Sequence, residues 1–360
     1  MRIAVIPGDG IGADVTAEAV KVLRAIGRVY GLALDIETLP YGADYYLQTR
    51  TSLPAGASRM LRDEFDAILL GALGDPRVPD MQYARDILLG IRFELDLFVN
   101  FRPVKLLDPA LCPLKDPDAA RMDFVVLREN TEGLYVNIGG RFKAGTDDEV
   151  AIQEEVNTYK GVHRIIRYAF EHARAAGRRR VCMSDKSNAM NLGHALWQRV
   201  FKEVAPAFPD IEASHLYIDA LALQMVRAPA QFDVVVTNNL FGDIVTDLGA
   251  ALQGGLGVAA SGNLHPGRTS MFEPVHGSAP ALAGRNVANP IGAVLSVALM
   301  LGFLGHQAAA DAIERAATIA VREGHVTADV GGTLGTRETG DYLVKAIEQP
   351  ADTTKALHRL

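Results

Sequence analysis

The stretch "FDVVVTNNLFGDIVTDLGAAL" (residues 232–252) reads as a buried strand that runs into a helix. The valine run predicts the strand, and the apolar residues after Asn239 recur at helical spacing. Asp243 and Asp247 are four residues apart, so they would lie on one face of this helix, one turn apart. Like charges at this spacing repel each other, and burial would cost them hydration. The pattern therefore predicts a positive group beside the two carboxylates.

The segments around this stretch alternate between strand-like and helix-like patterns. Residues 2–72 follow the order β-α-β-α-β, a similar alternation recurs from residue 123 to residue 252, and three helical segments follow residue 289. This order predicts an α/β fold with a mostly parallel sheet covered on both faces. The polar segment "GGRFKAGTDDEVAIQEEV" (139–156) is typical of a projecting hairpin, and "PADTTKALHRL" (350–360) of a loose tail.

Composition limits the classes of partner. A chain of 360 residues, 49% hydrophobic and 22% charged, predicts a soluble globular protein with two domains or one elaborate α/β unit. Its net charge of −7 argues against nucleic acid as the main partner. The apolar stretch at 291–305 is short for a membrane span and predicts a buried helix. Two cysteines in unrelated surroundings and an N-terminus without a long apolar run predict a cytoplasmic location.

Two glycine-containing turns are candidate anion sites. "IPGDGIG" (6–12) lacks the GxGxxG spacing, so a standard Rossmann assignment fails and a purely structural turn is equally open. In "FEPVHGSAPALAGRNVANP" (272–290), the backbone N–H groups of Gly277, Ser278 and Ala279 could face a nucleotide phosphate. A long ordered loop is the alternative interpretation.

Charged side chains beside apolar strands suggest chemistry on a small anion. Arg92, Arg102 and Arg128 would suit a di- or tricarboxylate, although each alone is more typical of an ion pair. Lys186 follows a strand end and could act as a base. Asp219 lies in an apolar run and, with the two aspartates of residues 232–252, offers the hard oxygen ligands that Mg²⁺ or Mn²⁺ prefers.

Taken together, these motifs resemble one family, the β-decarboxylating dehydrogenases of isocitrate, 3-isopropylmalate, homoisocitrate, tartrate and D-malate. "PGDGIG", "RPV", "RENTEGLY", "DKSN", "NLFGDIVTDL" and "EPVHGSAP" occur in family order between residue 6 and about residue 340. The resemblance implies the two-domain α/β fold of isocitrate/isopropylmalate dehydrogenases, which is not a standard Rossmann fold. Residues 1–101 plus 254–360 would form the cofactor-side domain. Residues 102–253 would form the second domain, with the dimer contacts, the metal aspartates and a projecting arm at about 134–157.

The resemblance also implies roles for individual residues. The substrate-binding residues would be Leu88, Leu89, Arg92, Arg102, Arg128 and Asn188. The catalytic residues would be Lys186, as the base for the substrate hydroxyl, and Tyr135, as the acid that protonates the enolate. The ligands of Mg²⁺ or Mn²⁺ would be Asp219, Asp243 and Asp247. The NAD-binding residues would be Ile11, His276, Gly277, Ser278, Ala279 and Asn289. A homodimer is implied, with Lys186 and Asp219 reaching the active site of the partner subunit.

The implied reaction is an oxidative decarboxylation of a (2R)-malate-type 2-hydroxy acid to a 2-keto acid, CO₂ and NADH. Leu88 and Leu89 precede Arg92, where isocitrate and homoisocitrate enzymes have polar or cationic residues, and a carboxylate against two leucines would lose its hydration. This favours 3-isopropylmalate as the substrate. Tartrate or D-malate stays open because Ala189 and "RENTEG" depart from many isopropylmalate enzymes. A catalytically silent regulatory paralogue is a remote alternative, since the catalytic and metal-binding residues are all present.

The position after "HGSAP" departs from the family pattern. NAD enzymes usually carry an aspartate there and NADP enzymes of the isocitrate type a lysine, whereas this chain has Ala281, with Arg285 as the nearest cation. A 2′-phosphate without cationic partners would be bound at a net cost. The sequence therefore predicts a preference for NAD that is weaker than in relatives with the aspartate.

Overall fold

The computed structural model describes residues 1–349, so the predicted tail at 350–360 lies outside the described residues. The strands are, in chain order, β1 (Arg2–Ile6), β2 (Asp35–Thr38), β3 (Ala67–Leu70), β4 (Val99–Lys105), β5 (Asp123–Glu129), β6 (Gly139–Phe142), β7 (Val150–Gln153), β8 (Arg180–Asp185), β9 (Glu212–Tyr217), β10 (Val234–Thr237), β11 (Ala260–Leu264) and β12 (Ser270–Pro274). The α-helices are α1 (Ile11–Tyr30), α2 (Ala43–Thr49), α3 (Ala57–Glu64), α4 (Gln82–Glu94), α5 (Tyr159–Ala175), α6 (Gly193–Val204), α7 (Ile218–Arg227), α8 (Asn239–Leu252), α9 (Ile291–Phe303), α10 (Gln307–Arg322) and α11 (Thr336–Glu348).

The chain divides into two compact units. The first comprises Met1–Leu95, Leu107–Pro113 and Gln253–Leu360, and the second comprises Asp96–Leu106 and Leu114–Leu252. The domain boundary expected at residue 102 would cut β4, a single strand that lies wholly within the second unit. The division at residue 96 keeps this strand intact.

In the first unit the strands follow the order β2-β1-β3-β12-β11. The pairs of β1 with β2, β1 with β3 and β12 with β3 are parallel, and β11 pairs with β12 in the antiparallel sense. Helix α9 packs against β11 and β12 and against α1 and α10. It is apolar on all sides and mostly buried, which confirms the helix predicted at 291–305. Among residues 1–349, no helix is both long and apolar enough to cross a membrane.

In the second unit the strands follow the order β4-β5-β10-β8-β9. All neighbours are parallel except β4, which runs antiparallel to β5. Strand β10 lies between β5 and β8 with every residue buried, and this burial accounts for its unbroken valines. The hairpin predicted from residues 139–156 is confirmed as an exposed antiparallel ribbon of β6 and β7. The predicted α/β, mostly parallel architecture is confirmed as well.

The turn after β1 has a structural reason for its glycines. Gly8 has a φ of +76°, and a Cβ there would lie 2.2 Å from the carbonyl oxygen of Ala72. The buried carboxylate of Asp9 accepts hydrogen bonds from the backbone N–H of Gly74 at 2.9 Å and from the Tyr83 hydroxyl at 2.5 Å. These contacts hold the turn against the end of β3, where a side chain at Gly8 would collide with the Ala72 carbonyl.

Gly8→Ala is therefore expected to destabilise the protein more than Gly31→Ala. Both positions have positive φ, which costs alanine about 1 kcal/mol, but a Cβ at Gly31 meets no atom within 4 Å. Overpacking against the Ala72 carbonyl should add about 1–3 kcal/mol at Gly8. Urea unfolding of the two variants measures the difference, and equal losses of unfolding free energy would contradict this account of the turn.

Candidate active site

Helix α8 carries two aspartates beside two arginines. The side chain of Asn238 accepts a hydrogen bond from the backbone N–H of Phe241 at 2.9 Å and so satisfies one donor of the first turn. One turn further on, Asp243 pairs with the guanidinium of Arg128, and Nη2 of Arg102 lies 3.5 Å from its Oδ1. Nη1 of Arg102 also lies 3.8 Å from Oδ1 of Asp247. The positive charge expected beside these carboxylates is thus supplied by arginine in the chain itself.

The two carboxylates differ in their protonation behaviour. Burial alone would raise the pKa of Asp243, but the guanidiniums of Arg128 and Arg102 hold it below its usual value. Burial raises the pKa of Asp247, whose side chain is nevertheless 63% exposed. Asp243 is therefore a fixed anion of the cluster, and Asp247 is its accessible carboxylate.

Arg128 is enclosed at the end of β5. It is 1% exposed, and its Nε donates a 2.8 Å hydrogen bond to Oδ1 of Asn239. A Cβ at Gly242 would lie 2.5 Å from Cβ of Arg128, so only glycine lets the helix approach the arginine this closely. The sequence did not single out Asn239, although its spacing of four residues from Asp243 marks the same helix face.

Tyr135 stands over this pair. Its ring lies 5.1 Å from the guanidinium carbon of Arg128, and its hydroxyl donates a 2.8 Å hydrogen bond to Oδ2 of Asp243. Burial and the negative charge of Asp243 raise the pKa of Tyr135. The phenol therefore keeps its proton through the neutral range and can act as a donor. Of the predicted residues, the structure brings Arg102, Arg128, Tyr135, Asp243 and Asp247 together.

Lys186 and Asp219 form a separate pair in the same unit. Nζ of Lys186 donates to Oδ1 of Asp219 at 2.5 Å, and this hydrogen bond lowers the pKa of Asp219. Asn188 is exposed on the turn that follows Lys186. In the described part of the chain, no three His, Cys, Asp or Glu side chains are close enough together to hold a metal ion. A single chain thus does not gather the three predicted metal ligands.

The first unit holds the remaining predicted substrate residues on α4. Arg92 is buried, and its Nη2 donates a 2.9 Å hydrogen bond to Oε1 of Glu273, which also accepts from Asn263 at 2.8 Å. Leu88 and Leu89 are half-buried one turn earlier on the same helix. The side chains of Leu88 and Leu89 therefore offer an apolar surface.

The predicted cofactor residues cluster in the first unit. The backbone N–H of Ile11 donates to the carbonyl oxygen of Ser278 at 2.8 Å, which joins the two glycine-containing turns. Ala279, two residues after Gly277, takes a φ of +35°. His276 is buried, and burial lowers its pKa, so the ring is neutral at pH 7.

His276 and Asn289 differ in whether they have a hydrogen-bonding position that the fold does not use. Nδ1 of His276 donates to the carbonyl oxygen of Gly277 at 3.0 Å, which leaves Nε2 as an acceptor without a protein partner among residues 1–349. The amide of Asn289 is used within the fold, bonding Asp329 at 3.0 Å and the N–H of Ile291 at 3.0 Å. The His276 ring is therefore the side chain here with an open hydrogen-bonding position.

Comparisons with known proteins match nearly the whole chain. Residues 2–343 match the family described as isocitrate/isopropylmalate dehydrogenase. A 3-isopropylmalate dehydrogenase of Thermobifida fusca (strain YX) is 44% identical over 351 residues, with 97% of this chain and 98% of that protein covered. One from Corynebacterium jeikeium (strain K411) is 48% identical over 349 residues, with coverage of 96% and 99%. The crystal structure of isocitrate dehydrogenase from Methylococcus capsulatus superposes with a TM-score of 0.87 at 36% identity, covering 97% and 99%.

The contact between Asp243 and Tyr135 can be tested without any substrate. Asp243→Asn should lower the pKa of Tyr135, because the carboxylate that raises it is lost while the charge of Arg128 remains. Asp247→Asn makes the same chemical change one turn away and should move this pKa less. A pH titration of ¹³Cζ-labelled tyrosine by NMR, with Tyr135→Phe to identify the resonance, measures both. An unchanged Tyr135 pKa in Asp243→Asn would contradict the assigned contact.

Proposed function

Because the chain belongs to the isocitrate/isopropylmalate dehydrogenase family, we propose that it oxidises and decarboxylates 3-isopropylmalate with NAD⁺ and a divalent metal ion. The observation that carries the proposal is its near full-length similarity to 3-isopropylmalate dehydrogenases. Family membership confirms the predicted fold and the predicted enzyme class, a decarboxylating dehydrogenase. The names of these relatives agree with the first choice of substrate made from the sequence.

The chemistry of the arginine cluster supports binding of a malate-type substrate. Arg102 and Arg128 place two guanidiniums around one firmly ionised carboxylate, that of Asp243. Arginine binds carboxylates with paired hydrogen bonds, so these two guanidiniums suit a substrate carboxylate. Leu88 and Leu89 would meet the alkyl substituent, since they offer it no polar partner. Arg92 stays a predicted substrate-binding residue.

The donor set on α8 fits a divalent cation of the Mg²⁺ or Mn²⁺ type. Asp243 and Asp247 present carboxylate oxygens from one helix face, and these ions prefer such hard ligands. Because Asp219 lies with Lys186 rather than with this pair, the proposal requires Asp219 from a second subunit. Exposed apolar side chains on the second unit, among them Phe142 on the arm and Ile244 on α8, support such a homodimer.

The protein side chains would handle the protons of the reaction. Lys186 of the second subunit would take the proton of the substrate hydroxyl, and Tyr135 would give its proton to the carbon from which CO₂ departs. The raised pKa of Tyr135 supports the second role, because the phenol is protonated when it is needed. When bound, NAD⁺ supplies the hydride acceptor, and the cation supplies Lewis-acid stabilisation of negative charge.

The surroundings of Ala281 support NAD⁺ over NADP⁺. The backbone N–H of Gly284 in the same loop donates to the carboxylate of Asp14 at 2.8 Å, which puts a negative charge beside this loop. The side chain of Arg285 is exposed. A 2′-phosphate would meet the carboxylate with no cation held in place to bind it, whereas a 2′-hydroxyl can form its hydrogen bonds with water.

The free cysteines Cys112 and Cys182 suit the reducing cytoplasm that we infer as the location.

The substrate is tested with purified enzyme, Mn²⁺ or Mg²⁺ and a panel of malates. We expect kcat/KM for 3-isopropylmalate to exceed that for D-malate or tartrate by about 10-fold or more, because two or three methylenes are buried. EDTA should abolish turnover. Leu89→Arg should lower kcat/KM for 3-isopropylmalate, whereas Ile319→Arg adds the same charge on exposed α10 and should not. Good turnover of D-malate without turnover of 3-isopropylmalate would move the assignment to the tartrate/D-malate branch.

Cofactor choice is tested by steady-state kinetics with NAD⁺ and NADP⁺. The wild type should prefer NAD⁺, and Ala281→Asp should sharpen the preference, because a second carboxylate would repel the 2′-phosphate. Val287→Asp places a carboxylate at another exposed position of the loop and serves as the control. A higher kcat/KM with NADP⁺ in the wild type would show that Arg285 or another cation binds the phosphate.

A further inference from the structure

The turn that carries Lys186 is tied to a buried histidine. Strand β8 ends at Asp185, and the backbone N–H of Lys186 donates a 2.7 Å hydrogen bond to Nδ1 of His194 on the first turn of α6. The carbonyl oxygen of Lys186 accepts from the N–H groups of Ala189 at 2.9 Å and Met190 at 2.8 Å. Hydrogen bonds therefore hold both the N–H and the carbonyl oxygen of Lys186. The bond to the N–H comes from a side chain eight residues away.

The contact with Lys186 determines the tautomer of His194. Nδ1 has to offer its lone pair to the Lys186 N–H, so the ring proton of neutral His194 sits on Nε2. Nε2 lies 3.2 Å from Oε1 of Glu155 and donates to it. This contact with Glu155 orients the imidazole so that Nδ1 faces the Lys186 N–H.

The same carboxylate reaches the start of α8. Nδ2 of Asn238 donates to Oε1 of Glu155 at 2.8 Å, while Oδ1 of Asn238 accepts from the N–H of Phe241. Asn238 is buried and His194 is fully buried, so these two side chains have little access to water that could replace the bonds. One connected set of hydrogen bonds thus holds both the Lys186 turn and the helix that carries Asp243.

We propose that His194, oriented by Glu155, is a positioning residue that holds the Lys186 turn in the geometry needed for proton abstraction from the substrate. The proposal rests on the function proposed above, in which Lys186 is the base. His194 is fully buried, so it acts through the backbone of Lys186 and not on the reacting atoms themselves. Misplacing a catalytic group by about 1 Å can cost about 100-fold in rate, so the loss of this one bond would be visible in kcat.

Two substitutions of His194 distinguish the contact made by Nδ1 from the contact made by Nε2. In His194→Asn, the amide oxygen can replace Nδ1 and accept from the Lys186 N–H. In His194→Gln, the amide can replace Nε2 beside Glu155 and leaves the Lys186 N–H without its acceptor. His194→Phe removes both contacts. Trp197→Phe is the matched control, because it removes a part-buried 2.8 Å hydrogen bond to Asn157 from the same helix and leaves the contacts of His194 with Lys186 and Glu155 in place.

We expect His194→Gln and His194→Phe to lower kcat by about 10- to 100-fold while KM for NAD⁺ stays within about twofold. His194→Asn should retain most of kcat, and Trp197→Phe should lower the melting temperature but keep kcat. Hydrogen exchange measured at the Lys186 amide by NMR should be faster in the Gln and Phe variants only.

Equal losses of kcat in the Asn and Gln variants, or an equal loss in Trp197→Phe, would overturn the proposal. Unchanged exchange of the Lys186 amide in His194→Gln would overturn it as well. If the wild type turned over none of the malates, the proposed function would fail, and the exchange comparison would decide on its own whether His194 holds this turn.

Discussion

The second unit is organised around a guanidinium that is buried and cannot lose its charge. Arg128 is 1% exposed, and arginine stays protonated in proteins, so neighbouring oxygens have to match its charge. Oxygens of Asn239 and Asp243 on the first turns of α8 bind this guanidinium, and these contacts fix the start of the helix against β5. Gly242 completes the fit by leaving room for the arginine. The ion pair thus sets where α8 begins and which of its faces carries the carboxylates.

The buried charge also separates the protonation states of its neighbours. Arg128 and Arg102 lower the pKa of Asp243, whereas burial and Asp243 together raise the pKa of Tyr135, whose hydroxyl lies 2.8 Å from Asp243. At neutral pH, the ionised Asp243 and the protonated Tyr135 are therefore in contact, and neither has to change its protonation state. This arrangement exists before any substrate arrives, so no reorganisation is needed to create a donor in the proposed reaction.

The sequence predicted those features that depend on local pattern. The valine run of β10 and the helical spacing around Asp243 were sufficient to identify the strand and the helix that carries the carboxylates. Strand β9 was missed because its residues are mostly exposed at the sheet edge and show no alternation of apolar and polar side chains. The contact of His194 with Glu155 joins residues 39 positions apart in the chain. No periodicity marks such a pair, because only the tertiary fold brings it together.

The β6–β7 ribbon exposes large apolar side chains, with Phe142 at 65% and Ile152 at 53%. A two-stranded ribbon is at best marginally stable alone in water, so covering these apolar side chains would stabilise it. In the proposed homodimer, ordering of the ribbon and association of the chains become one equilibrium, governed by mass action. Thermal stability would then depend on protein concentration, and dilution would open the ribbon to proteolysis.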